Sequence, residues 1–210
     1  AHCVSRCAAR EPLRGSQEMN NFVQSVLMGG VGGQGIIRAS DILSAVLMRA
    51  GFDVKKSEVH GMAQRGGCVS SHVRFGSKVY SPLAKKGDVD VLVSFEKLET
   101  LRYLDYLKAD GKVIVNDEEV YPPSVNLGEE RYPSDAVDFI KKHFKDVKVV
   151  DATEMALQAG DRRMANTVIL GVLSSYLDID DAVWEGVLEE SFPPKILRGN
   201  KEAFKLGRGV

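Results

Sequence analysis

Residues 29–35 read GGVGGQG, five glycines in seven positions between an apolar run and a helical pattern. Gly30, Gly32 and Gly35 have the G-x-G-x-x-G spacing, with Gly33 and Gln34 inside the same turn. At that spacing glycines let a phosphate or pyrophosphate approach backbone N–H groups and the positive end of a helix dipole, so the chemistry implied is anion binding. Glu58 closes the next strand-like stretch, about 20 residues on, where a dinucleotide fold holds a ribose hydroxyl with a carboxylate. A second cluster follows at once in HGMAQRGGC. There His60 offers an imidazole able to move a proton. Arg65 offers a guanidinium able to grip a phosphate or carboxylate by two N–H bonds, and Gln64, Gly66 and Gly67 complete a loop built to present polar groups. Each feature also has a plainer use: glycines at a strand–helix turn permit tight packing, and a single histidine or arginine in a loop is usually a hydrogen-bonded or solvated side chain.

The elements that must hold these residues alternate along the chain. Short apolar, β-prone runs predict strands at 22–28, 54–59, 69–75, 89–95, 112–116 and 147–151. Helical spacing of Ile36, Ile37, Ala39, Ser40, Leu43, Val46, Leu47 and Ala50, stopped by Gly51, makes a strand–glycine loop–helix unit, with further helices near 96–107, 135–144 and 153–159. From Met164 the chain reads as mostly helical, with Trp184 on the buried face of a helix. Only residues 60–68 separate the second and third strands, whereas a parallel crossover needs about a dozen residues or more. The two strands therefore form an antiparallel hairpin. The fold class is α/β: a Rossmann-like mixed, mostly parallel sheet flanked by helices, with one antiparallel hairpin and a helical C-terminal third. That connection also argues against a self-contained dinucleotide dehydrogenase, because a second Rossmann unit has no room. His72 and Arg74, alternating with Val73 and Phe75, read as the open face of a strand, and Cys68 as a small buried side chain.

Composition limits the partners. With 28 Lys and Arg against 29 Asp and Glu in 210 residues, the net charge of -1 gives no bulk attraction to nucleic acid or to an anionic membrane. No apolar run approaches the roughly 18 residues of a spanning helix, and residues 1–18 lack an export-type apolar block, so the expected compartment is the cytoplasm. Cys3, Cys7 and Cys68 make neither a disulfide framework nor an iron–sulfur ligand run, and no metal site is expected. Residues 1–18 read as an appended upstream extension and 19–210 as a single domain.

Together the stretches GVGGQGIIRASDILSAVLMRAG, SEVHGMAQRGG, SHVRFG, YSPL, FEKLETLRYL, VIVND, NTVILG and NKEAFKLG resemble the gamma-type domain of the 2-oxoacid:ferredoxin oxidoreductases. Among them they are most similar to the indolepyruvate branch, with departures at Cys68 and Arg38. The resemblance implies a small subunit of an enzyme split over chains, which is inactive alone and holds no cofactor tightly. Thiamine diphosphate, magnesium and [4Fe-4S] clusters belong on a large partner subunit, and ferredoxin engages the complex. The reaction implied converts an arylpyruvate and coenzyme A to an aryl-acetyl-CoA and CO2. The gamma subunit of a pyruvate or other 2-oxoacid enzyme, a stand-alone dinucleotide dehydrogenase and a nucleotide-binding module remain as alternatives. Coenzyme A against the glycine loop, or the thiamine subunit docked on both loops, are the two uses left open for 29–35, as is self-association of the isolated chain. His60 and Arg65 are the candidate catalytic groups; Gly30, Gly32, Gly33, Gln34, Gly35, Glu58, Gln64, Gly66 and Gly67 are the candidate binding residues.

Overall fold

Along β1 (Val23–Val31) apolar side chains fill both faces: Val26 and Met28 enter one hydrophobic core and Leu27 another, all essentially inaccessible to water. A strand buried on both sides must lie inside a sheet covered by two layers. The computed structural model describes residues 22–61 and 67–210 and has that three-layer form. The six strands, β1, β2 (Asp53–His60), β3 (Cys68–Gly76), β4 (Val89–Ser94), β5 (Leu107–Asn116) and β6 (Val147–Val150), lie in the order β2-β3-β1-β4-β5-β6. β3 alone runs against the rest, pairing antiparallel with both β2 and β1, while β1–β4, β4–β5 and β5–β6 are parallel. The hairpin expected from the short 60–68 connection is the β2–β3 pair, in register from Asp53 opposite Gly76 to His60 opposite Val69.

One face carries α1 (Ile36–Arg49), α5 (Ala152–Gln158), α6 (Ala165–Ser174), α7 (Asp181–Ser191) and α8 (Pro194–Arg208) over the larger core. Trp184, fully buried, stacks on Phe204 there at 5.2 Å between ring centroids. Helices α6 and α8 touch through backbone: a Cβ on Gly171 would lie 2.1 Å from the Phe204 carbonyl oxygen, and one on Gly207 2.0 Å from that of Val168. The other face carries α2 (Lys97–Tyr103), α4 (Ala136–His143) and the 77–88 segment over a core that includes Leu27, Leu92, Val113 and Ile140. A short α3 (Pro123–Asn126) follows β5.

Several expectations change. The α1 stripe excludes Ile37 and Ala50, which are exposed, and includes Ile42 and Ser44. Strand β1 runs on to Val31, because Gly29, Gly30 and Val31 continue the ladder opposite Ser70, Val69 and Cys68. His72 and Arg74 are not on an open face. The 77–88 segment covers it, leaving His72 5% exposed and Arg74 half-buried. Cys68, read as buried, is half-buried where the strand emerges from its loop. The expectation for residues 1–18 concerns chain outside the described residues.

Candidate functional site

From β1 the chain passes through α1 to β2 on one side of the sheet, whereas β3 is followed by β4 on the other side of β1. Connections that diverge from one strand leave a crevice beyond the carboxyl ends of the strands, the usual ligand position in open α/β sheets. The glycine loop forms its lip. Gly33 (φ 105°) and Gly35 (φ 82°) hold left-handed conformations that β-carbon sterics penalise, and Gly35 is the N-cap of α1. No side chain among the described residues caps that helix, and its first turn has no acidic residue. A Cβ added at Gly33 would meet nothing within 4 Å among the described residues, which leave this backbone uncovered. Gly30 is required for the opposite reason, since its Cβ would fall 2.7 Å from Gln34 Oε1 and 2.9 Å from Phe95 Cβ.

Gln34 is the crossbar of the crevice. Its Oε1 accepts from the Val31 N–H (2.8 Å), closing the loop, while its Nε2 donates to the Phe95 carbonyl at the end of β4 (3.0 Å) and reaches Glu118 Oε2 (3.4 Å). Asn116, buried at the end of β5, donates to the same Phe95 carbonyl (3.2 Å) and the same Glu118 oxygen (3.0 Å), and accepts from the Ala152 N–H (3.0 Å). Two amides thus hold the Glu118 carboxylate, which makes no ion pair among the described residues. Beside this network lies a cleft of about 240 Å³, with Gly33, Gln34 and Gly35 on one wall and Arg162, Arg163 and Asn166 on another. Arg163 is paired with Asp161 (2.5 Å), whose carboxyl it pulls down to about 2. Arg162, exposed, makes no ion pair among the described residues.

The two sequence clusters meet. The Gly32 N–H donates to the Gly67 carbonyl (2.9 Å), and the Gly61 N–H to the Cys68 carbonyl (2.8 Å), so the glycine loop is bonded to the residue that leads into β3. His60, Val69 and Gly30 lie in one row across β2, β3 and β1. His60 and Glu58 are therefore two strands from the glycine loop, roughly 10 Å at ordinary strand spacing. Glu58 is engaged locally by Lys56 Nζ (2.6 Å) and His60 Nε2 (3.4 Å), and the lysine lowers its carboxyl below the usual range. A ribose-binding acid of a dinucleotide fold ends the strand next to β1, and here β3 occupies that place. Gln64, Arg65 and Gly66 lie outside the described residues. The cleft residues Asn116, Glu118, Arg162 and Asn166 were not singled out from sequence. Their signal was the end of a parallel strand (VIVNDE) and a basic pair entering a helix (DRRMANTV), both weak until the strand order is known.

Comparison with known proteins is consistent across sequence and fold. Residues 25–210 match the family model described as pyruvate ferredoxin/flavodoxin oxidoreductase. The indolepyruvate oxidoreductase subunit IorB of Thermococcus kodakarensis is 38% identical over 190 residues, covering 87% of this chain and 93% of that protein. IorB of Pyrococcus horikoshii is 37% identical over 188 residues, with the same two coverages. Among solved structures, the pyruvate oxidoreductase subunit PORC of Thermotoga maritima superposes with a TM-score of 0.67 at 26% identity, covering 89% of this chain and 96% of that one. The 2-oxoglutarate:ferredoxin oxidoreductase of Magnetococcus marinus, solved with 2-oxoglutarate, coenzyme A and succinyl-CoA, has the same fold at a TM-score of 0.69 and 23% identity. This chain covers 30% of that one, and 89% of itself is matched.

Proposed function

This chain belongs to the pyruvate ferredoxin/flavodoxin oxidoreductase family, and from that premise we propose that it is the small subunit of an enzyme that decarboxylates an arylpyruvate, indolepyruvate foremost, onto coenzyme A. The products are the aryl-acetyl-CoA and CO2, and the electrons pass to ferredoxin. The observation that carries the reading is nearly full-length similarity to IorB subunits. In this reading thiamine diphosphate, magnesium and iron–sulfur clusters sit on a large partner in the cytoplasm, and supply carbanion stabilisation and electron transfer. This chain contributes surface and positioning. Gln34 fixes the glycine loop across the crevice, leaving the Gly33 backbone turned outward toward the coenzyme A phosphates. In this reading His60, the last residue of β2, serves the partner's active centre, and Arg65, outside the described residues, holds a phosphate or carboxylate by two N–H bonds.

A second reading of the same surface is docking. The Gly32–Gly67 hydrogen bond joins the glycine loop to the start of β3, and in this reading the joined backbone makes close contact with the large subunit. Co-expression with the large chain tests the assignment: a stable complex containing thiamine diphosphate is expected, and a chain that co-purifies with no such partner would remove it. Within that complex, Arg65→Lys keeps the charge but loses the planar fork, and should cost about 1.5–3 kcal/mol in coenzyme A or partner affinity. Loss of affinity for coenzyme A alone selects the first use of the loop, and loss for the partner alone selects the second.

A further inference from the structure

The two edges of the sheet are finished differently. At one edge β6 is only four residues long, and its lysine, Lys148, is bonded to the Val210 carbonyl (2.6 Å). At the other edge β2 pairs with β3 through all eight of its residues, Asp53 to His60, with no shift of register and no proline. No described strand pairs with its outer side. A straight strand of that length, with a row of N–H and C=O groups turned outward, is a template for another strand. Lysines usually guard such an edge by their charge, and here that charge is cancelled nearby. Lys55 is paired with Asp53 (2.9 Å), and Lys56 with Asp41 and with Glu58 (2.6 Å). Val59, on the same strand, leaves half of its surface to solvent.

Parity and charge select the strand that fits. When a strand pairs antiparallel with its own copy, the two-fold axis stands perpendicular to the sheet, so each face is kept and directly opposed residues share a face. That restricts the pairing to registers centred on a residue. Among those that overlap more than half of β2, centring on Lys55, Lys56 or Glu58 sets like charges against each other across the axis. Centring on Ser57 places a small side chain there and sets Lys56 opposite Glu58 of the second copy, twice. The same register puts Lys55 opposite Val59, where the lysine stem covers the exposed valine, and Val54 opposite His60. We infer that β2 pairs antiparallel with β2 of a second copy of this chain, in the register centred on Ser57, joining the two six-stranded sheets into one. The pairing rests on the strand itself and is independent of the enzyme assignment.

The test is sedimentation equilibrium of the full chain. The parent is expected to form a concentration-dependent dimer and nothing larger. Lys56→Glu sets carboxylate against carboxylate at both pairs, and Glu58→Lys sets ammonium against ammonium, so each should weaken the dimer at least about tenfold. The double variant restores both pairs with their signs exchanged and should return to within about threefold of the parent. Melting temperatures of the diluted proteins separate weakened pairing from unfolding. If a single variant does not fold, Ser57→Cys decides the matter. Its thiol meets its own copy across the axis at about 4.5–5.5 Å between Cα atoms, so mild oxidation should give a covalent dimer linked through two position-57 peptides. Lys55→Cys, which lies opposite Val59 and not opposite itself, should give no such link. A chain that stays monomeric at high micromolar concentration, joining only the large subunit, overturns the inference. So does a dimer indifferent to both single reversals, a double variant as weak as the singles, or absence of the position-57 link. Assembly beyond two copies would mean that β2 meets a different edge, and overturns it equally.

Discussion

Two polar clusters flank the middle of the sheet, and they use their hydrogen-bonding groups in opposite ways. On the face of β3 covered by the 77–88 segment, Arg74 donates to Ser25 Oγ (3.1 Å), to the Ser81 and Leu83 carbonyls (3.3 Å each) and to Asp88 (3.0 Å). His72 Nδ1 accepts from the Ala84 N–H (3.4 Å) and the ring stacks edge-on against Tyr106, while Asp53 accepts from the Val79 N–H (2.9 Å). The bonds to Ser81, Leu83, Asp88, Ala84 and Val79 pin the segment to the sheet, and the bond to Ser25 ties β3 to β1 beneath it. At the carboxyl end of β1, by contrast, Gln34 and Asn116 orient a carboxylate that goes on to face a cleft, and the glycine backbone and Arg162 face it too. Saturated polar groups under cover build architecture, whereas polar groups held rigidly but left with open valences are available to a ligand.

The largest effect should come from breaking the saturated cluster. Arg74→Leu leaves Asp88 and two carbonyls without their donor in a site where the arginine side chain is 16% exposed, and should cost about 3 kcal/mol in denaturant unfolding. Ligand affinity per folded molecule should not change. Gln34→Ala stands between the clusters, because its bonds both close the loop and hold Glu118. About 2 kcal/mol of stability should be lost, together with binding at the glycine loop, so a variant that loses stability alone would make Gln34 purely structural.

His72 sharpens the contrast through pH. Burial, and then the charge of Arg74, hold its imidazole below the ordinary 6.5. The unfolded chain therefore takes up the proton first as pH falls: stability is full above about 6.5 and declines below it, down to the depressed native value. Replacing His72 with glutamine should flatten that decline in unfolding curves taken across the window, and an unchanged slope would place the acid sensitivity elsewhere. The smallest effect belongs to the open cluster, where Arg162→Ala should shift stability by no more than about 0.5 kcal/mol. A larger loss would mean that Arg162 is part of the architecture after all.

How much of this was legible beforehand depended on the range of the interaction. Helix α1, the strands and the β2–β3 hairpin follow from local period and loop length, and their positions agree with the structure to within a few residues apart from β5, which starts earlier, and α2, which ends in a 3-10 turn. The glycine loop was legible because five glycines mark it out. Glu118 and Arg162 were not, since their proximity arises from the strand order, and β3 beside β1 is a pairing between residues more than 35 apart in sequence. The same insertion explains why Glu58 falls at the sheet edge although its spacing from the loop fits a dinucleotide fold. His72 and Arg74 misled for a related reason: alternation reports which residues share a face, and the cover over that face comes from a coil segment with no period of its own.

The most direct test of the functional account is ferredoxin reduction by this chain recombined with the large thiamine subunit, measured with indolepyruvate and with pyruvate at saturating coenzyme A. The account predicts that the large subunit alone is slow, that adding this chain restores coenzyme A-dependent reduction, and that indolepyruvate has the higher kcat/KM. Equal rates with and without this chain, or a clear preference for pyruvate, would contradict it.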